Sequence, residues 1–260
     1  MTTLVDPRDL ALTYDPPTYP DGWTAVLDYE ATMRYASHRP NKGSAAIASA
    51  LDLPRGRVRT WLDGGKPDAA RAIETADAYG WIDLDYGDTK FYALNALVAN
   101  VFSGGSIEQT NYVPSFALTR DQDESRVVDV LDDAGVDYEF FHEDSDERAT
   151  EIRPTTDASV LGRVLMTLGA PIGPKKDRTD LSLPWYLDDA PLLIRKRFVE
   201  AYLANRGHYQ NGIVKLREER SDAYLRELAA LIEDVADGPV TISEMNVMLS
   251  TEATEQLGFR

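Results

Sequence analysis

The chain has 260 residues, a formal net charge of −17 and 43% hydrophobic residues, enough for two cored domains or one large one. It has no cysteine and only three histidines, His38, His142 and His208. That excludes disulfides, thiolate nucleophiles and zinc fingers, and leaves little for a histidine-based metal site. The apolar runs are only a few residues long, so no membrane span and no signal peptide are expected, and the expected location is the cytoplasm.

Acidity of this size ordinarily works against nucleic-acid binding. Here the acids are spread along the whole chain and arginine far outnumbers lysine. That composition resembles the proteins of halophilic archaea. In molar salt the Debye length falls to about 3 Å, so total charge repels DNA weakly and local charge decides. Local charge is uneven. Between Arg34 and Arg71 there are eight basic residues against three acids.

The first 22 residues carry Asp15-Pro16-Pro17 and Tyr19-Pro20-Asp21-Gly22, which read as an irregular arm. A helix is expected over 28–39, with Leu27, Ala31 and Tyr35 on one face. A second follows over 44–53, with Ser44 as N-cap and Ala46, Ile47, Ala50 and Leu51 at helical spacing. Asp52, Leu53 and Pro54 make a tight turn into a third helix over 55–62. Its Val58, Trp61 and Leu62 face inward, leaving Arg55, Arg57, Arg59 and Thr60 outside. A further helix over 67–79 supplies Ala70, Ile73 and Ala76 to the core, joined by Trp81. Two short helices, a tight turn and a basic outer face form a helix-turn-helix over residues 1–86. Its expected DNA contacts are Lys42, Ser44, Arg55, Arg57, Arg59, Thr60 and Lys66. A helical bundle without a ligand is the alternative.

Residues 90–260 contain an internal repeat. The first copy begins LNALVANVFSGGSI at 94–107 and the second RFVEAYLANRG at 197–207. Between them stand LGRVLMTLGAPIGPKK at 161–176 and LPWYL at 183–187. Strands are expected over 112–119, 137–141, 150–153, 212–217, 240–243 and 246–250, and helices over 124–134, 159–168 and 223–235. In order and spacing these motifs resemble the LAGLIDADG homing endonucleases over about 170 residues. The resemblance implies an α+β fold of two αββαββα repeats, about 90–176 and 190–260, forming a pseudo-twofold saddle over duplex DNA. Such enzymes hold divalent cations by an acidic residue before the final glycine of each signature helix. The corresponding positions here are Gly104 and Arg206, so the metal site is degenerate, no metal or other cofactor is expected, and cutting is not. The glycines after both helices are expected to end them in left-handed backbone.

A degenerate fold of this kind joined to a helix-turn-helix resembles the bacterial WhiA-type regulators, in the opposite order. The expectation is therefore a sequence-specific binder of double-stranded DNA, a transcription regulator without enzymatic activity, as a monomer or a homodimer. Lys175, Lys176, Lys215 and Arg217 are expected to extend the DNA surface, with Arg120, Arg148, Arg153 and Arg220 as further outward candidates. Two alternatives stay open: a scaffold that binds a protein partner, and an active metal-dependent endonuclease with displaced ligands.

Overall fold

The computed structural model describes residues 3–118, 125–142, 150–176 and 178–258. Contacts divide the chain into two units, Val5–Asp83 and Leu84–Arg260, the second joined by Met1–Leu4.

The first unit is helical: α1 (Pro7–Leu12), α2 (Gly22–His38), α3 (Ser44–Leu51), α4 (Arg55–Leu62) and α5 (Asp68–Tyr79). The expected irregular arm contains α1. Asp6 caps it by accepting from Arg8 N at 2.7 Å, and Pro7 sits where a missing N–H costs nothing. Asp21 and Gly22, read as a turn, instead start α2: the Asp21 carboxylate accepts from Thr24 N at 2.7 Å. Gly22 fits there because a Cβ would collide with the Ala11 carbonyl of α1. The longer α2 buries Ala25, Val26 and Thr32, and leaves Leu27, expected on the inner face, 46% exposed. Ser44 is the first residue of α3 rather than its cap. Gly43 holds the cap position, and its carbonyl accepts from Ala46 and Ile47.

Two apolar clusters hold this unit. One joins Ala11, Val26, Ala69 and Ala70 to Trp23, Tyr29 and Ile73. The other joins Ile47, Ala48 and Val58 to Tyr35, Leu51, Leu53 and Leu62. Each fully buried large side chain is worth about 1.5–3 kcal/mol. Tyr29 meets Trp61 edge-on at 5.7 Å, linking α2 to α4. The α3–α4 turn is closed by Asp52 in left-handed backbone (φ 54°).

The second unit repeats one pattern twice. The first pass is α6 (Thr89–Ser103), β1 (Ser106–Ile107), β2 (Pro114–Ala117), α7 (Ser125–Ala134), β3 (Tyr138–Phe141), β4 (Glu151–Pro154) and α8 (Ala158–Thr167). The second is α9 (Leu192–Arg206), β5 (His208–Gln210), β6 (Ile213–Arg217), α10 (Asp222–Ala236), β7 (Val240–Ser243), β8 (Asn246–Leu249) and α11 (Thr251–Gln256). Both sheets are antiparallel with equivalent strand order, β1-β2-β4-β3 and β5-β6-β8-β7. This is the αββαββα duplication expected from the sequence, α+β in class. β2, β3, β6 and β8 are shorter than expected, β7 stands where expected, β4 is displaced by one residue, and β1 and β5 were not anticipated. Among the described helices none is long and apolar enough to cross a membrane.

The centre of this unit is the α6–α9 pair. From Leu94 to Ser103, only Ala96 of α6 is not buried. Phe102 meets Phe198 of α9 at 6.2 Å and stacks on Tyr224 of α10. The buried Asn95 is fully used: its Nδ2 donates to Ile194 O at 3.1 Å and its Oδ1 accepts from Tyr186 OH at 2.7 Å. The helices do not end in left-handed glycines, since Gly104 has φ −147° and Gly207 φ −70°. Close approach is the reason for glycine here. A Cβ on Gly104 would collide with the Asn205 side chain, and one on Gly105 would come within 2.5 Å of Ser115 O.

Gly162 of α8 is a third case, because its Cβ would run into the Tyr112 carbonyl. Gly162→Ala is expected to cost about 1–3 kcal/mol by overpacking, read as a lower urea midpoint. An unchanged midpoint would show that the Tyr112 loop yields freely.

Candidate nucleic-acid interface

α4 presents its basic residues unequally. Arg55 is exposed and has no ion-pair partner among the described residues, and the same is true of Lys42 at the entry to α3. Arg59 is also exposed and lies 3.5 Å from Asp63 one turn on. Such a pair is worth only a few tenths of a kcal/mol, so it leaves Arg59 available. Thr60 turns its hydroxyl back to Gly56 O at 3.0 Å. Arg57, expected to face out, is drawn over the Tyr19 ring at 4.0 Å, with Nη2 donating to Thr18 O at 3.4 Å. Burial and the nearby Asp28 carboxylate raise the Tyr19 phenol to about 12, against the pull of Arg57. Lys66 is held by Glu74, with Nζ at 2.7 Å from Oε1. Ser44 is half-buried. Of the expected contacts on this unit, Lys42, Arg55 and Arg59 are therefore left open, with Thr60 also exposed.

In the second unit the two positions that matter lie at the ends of α6 and α9. Lys175, expected on a DNA-facing surface, turns inward instead. Its Nζ donates to the carbonyls of Val101, of Phe102 at 3.2 Å and of Gly105 at 2.7 Å. The first two are carbonyls that a helix C-terminus leaves unmatched, at the negative end of its dipole, and the third lies just beyond the helix. Arg206 Nε donates to Ser103 O and lies 3.4 Å from Glu218 Oε1. Arg206 keeps 43% of its side chain exposed, whereas the Arg220 side chain is only 8% exposed, with Nη2 at 3.8 Å from Glu218 Oε2, so Arg220 is not the outward residue expected. Glu218 is 1% exposed and accepts from Tyr202 OH at 2.8 Å. Burial pushes its carboxyl pKa up, against the pull of Arg206, Tyr202, Arg220 and Lys175.

Three basic side chains thus converge with one carboxylate where the sequence resemblance would place a divalent ion between paired carboxylates. The carbonyl oxygens at the end of α6 are taken up by nitrogen donors. The residues present do not fit a hard cation, which needs several oxygen ligands. Among the described residues no group of three or more His, Asp or Glu side chains gathers as a metal site.

No family model matches the chain, and no curated protein matches it. Among the solved structures to which it is similar are the following two. One is the N-terminal LAGLIDADG domain of DUF199/WhiA, at 12% identity over 68% of this chain and 88% of that one, with a TM-score of 0.41. The other is the homing endonuclease I-WcaI bound to its DNA recognition sequence, at 11% identity over 75% of this chain and 88% of that one, with a TM-score of 0.48. Neither likeness gives any residue of this chain a role.

The two sheets differ in what they expose. On β6 the burial alternates, so Lys215 and Arg217 point to the open face beside His208, Met248 and Asn246. Lys215 has no ion-pair partner among the described residues, while Arg217 lies 3.4 Å from Glu219. Lys176 is exposed and only loosely paired, at 3.7 Å, with the same Glu219. In the first sheet Arg153 is bound to Glu151 at 2.8 Å, and Ser115 Oγ donates to the same carboxylate at 2.7 Å. Although burial works the other way, Arg153 and Ser115 hold the Glu151 carboxyl below its usual range. Arg120 and Arg148 lie outside the described residues. Arg178 pairs with Asp180 and Arg195 with Asp234, and Arg197 lies over the Tyr92 ring.

Sequence reading missed Glu218 and Tyr19. The alternation Val214, Leu216, Glu218 points Glu218 inward at period two, a pattern the charged run 217–220 obscured.

Burial, together with Arg220 and Arg206, pulls the Lys175 amine from 10.5 down to about 7, against the opposing effect of Glu218. In the unfolded chain the same amine keeps its proton up to its ordinary value. Between those values the unfolded state binds more protons, so the contribution of this group to stability rises with pH. The urea midpoint is expected to climb from pH 7 to pH 9, and Lys175→Met to remove that climb. A wild-type midpoint flat over this interval contradicts the assignment.

Proposed function

We propose that this chain is a sequence-specific binder of double-stranded DNA, a transcription regulator that does not cut its target. The observation that carries the reading is α4. Val58 and Trp61 anchor one side of it in the core, and Arg55, free of any partner among the described residues, stands exposed with Arg59 one turn on. In a chain of net charge −17, exposed arginines on the second helix of a helix-turn-helix are the chemistry that grips guanine O6 and N7 or backbone phosphates. Lys42 and Ser44 at the start of α3 and Thr60 on α4 extend this surface. Arg57 lies over the Tyr19 ring and Lys66 is hydrogen-bonded to Glu74, so both contribute less than Arg55. In the second unit Lys176, Lys215 and Arg217 offer a second basic surface, on and beside the β6 sheet.

The absence of cutting follows from charge. The resemblance to LAGLIDADG enzymes would place divalent cations at the ends of α6 and α9. There Lys175, Arg206 and Arg220 gather nitrogen donors around the single carboxylate of Glu218, so among the described residues metal-assisted hydrolysis lacks the paired carboxylates it needs.

The test is enrichment of a target from random-sequence duplexes, followed by binding and cleavage assays on it. Arg55→Ala is expected to weaken binding to the enriched duplex between about fivefold and a hundredfold. Lys66→Ala, which removes a lysine already committed to Glu74, is expected to change it less than about twofold. Incubation with Mg²⁺ is expected to leave the duplex intact. Failure to enrich any sequence at any salt concentration defeats the binding reading, and a protein-dependent double-strand break defeats the non-cutting one.

A further inference from the structure

Three of the described glycines lie inside helices: Gly22, Gly56 and Gly162. Two are demanded by packing, since a Cβ on Gly22 or Gly162 would collide with a neighbouring carbonyl. Gly56 is different. A Cβ there would meet nothing within 4 Å, and its backbone is not left-handed. Glycine is a poor helix former, and alanine would serve α4 better. Nothing among the described residues therefore explains why α4, only eight residues long, carries glycine at its second position.

Its place on the helix supplies a reason. At 3.6 residues per turn, Gly56 and Thr60 lie opposite the side that Val58, Trp61 and Leu62 turn inward. Arg57 flanks that outer line on one side, and Arg55 and Arg59 on the other. Pro54 gives the helix start no side-chain cap, and the Gly56 N–H meets no acceptor among the described residues. The outermost point of α4 is thus bare backbone with an unclaimed donor, set between arginines.

We propose that Gly56 is the point of closest approach between α4 and duplex DNA and a determinant of sequence preference. This deepens, and rests on, the DNA-binding reading above. The missing side chain lets the helix backbone come within reach of base edges in the major groove, where the Gly56 N–H meets an acceptor such as purine N7. A methyl group at this position would hold α4 off the bases while leaving phosphate contacts by the long arginine side chains in place.

Gly56→Ala separates this role from a structural one, because the two predict opposite signs. A better helix former is expected to raise the thermal midpoint by about 2–4 °C. The same variant is expected to bind the duplex enriched by the wild-type protein about tenfold more weakly, and an unrelated duplex within about twofold of wild type. Unchanged affinity for the enriched duplex overturns the proposal, as does an equal loss on both duplexes, which would mean that Gly56 does not discriminate between sequences. If the wild-type protein enriches no duplex, the DNA-binding reading itself fails and this inference falls with it. A variant that binds the enriched duplex as wild type does sinks only the role of Gly56.

Discussion

The second unit turns on the insertion of the Lys175 amine into the carbonyl end of α6. A helix that finishes inside a protein leaves carbonyls without partners and concentrates negative charge at its last turn. α6 is buried on nearly every side, so water has little access to satisfy them. Lys175 closes that end from a loop some 70 residues away, and Arg206 of α9 closes Ser103. Gly104 and Gly105 follow directly on this helix end, close against Asn205 and Ser115, and the buried Glu218 lies beside Arg206. Glu218 in turn gives Arg206 and Arg220 a shared counter-charge. With these cations in place, the seam between the two repeats is held by the protein's own nitrogen atoms.

Much of the architecture was legible because it follows from periodicity. The alternation in 213–217 and the 3.6-residue spacing in 55–62 have each one solution that buries apolar surface, and both elements stand where expected. The duplication was legible because a repeated order of elements survives changes in individual side chains. What escaped was local or long-range. The turn formers of residues 1–22, Asp21-Gly22 among them, point to an irregular arm, although Asp is also a helix cap and Asp6 and Asp21 cap α1 and α2. β1 and β5 have two and three residues, too short for any period to show.

The candidate site was legible in composition but not in direction. Arg55, Arg57 and Arg59 look alike in the sequence, yet the first is open, the second lies on Tyr19 and the third faces Asp63. Tyr19 is almost 40 residues before Arg57, and nothing in the local pattern announces their contact. Lys175 and Lys176 are adjacent, and one is sunk among carbonyls while the other is in solvent. For long cationic side chains a neighbour far away in sequence decides whether the charge is spent within the fold or offered outside it.

The two repeats share one polypeptide, and so are free to diverge. The β6 sheet shows Lys215 and Arg217 to solvent, whereas on the β4 sheet Arg153 is already bound by Glu151. A symmetric homodimer has no such freedom, since each change in one half appears in the other. A duplicated chain whose halves carry different charge has a head and a tail. A DNA target of the kind proposed above would present different neighbours to each half, so the two ways of laying the chain along it would not be equivalent.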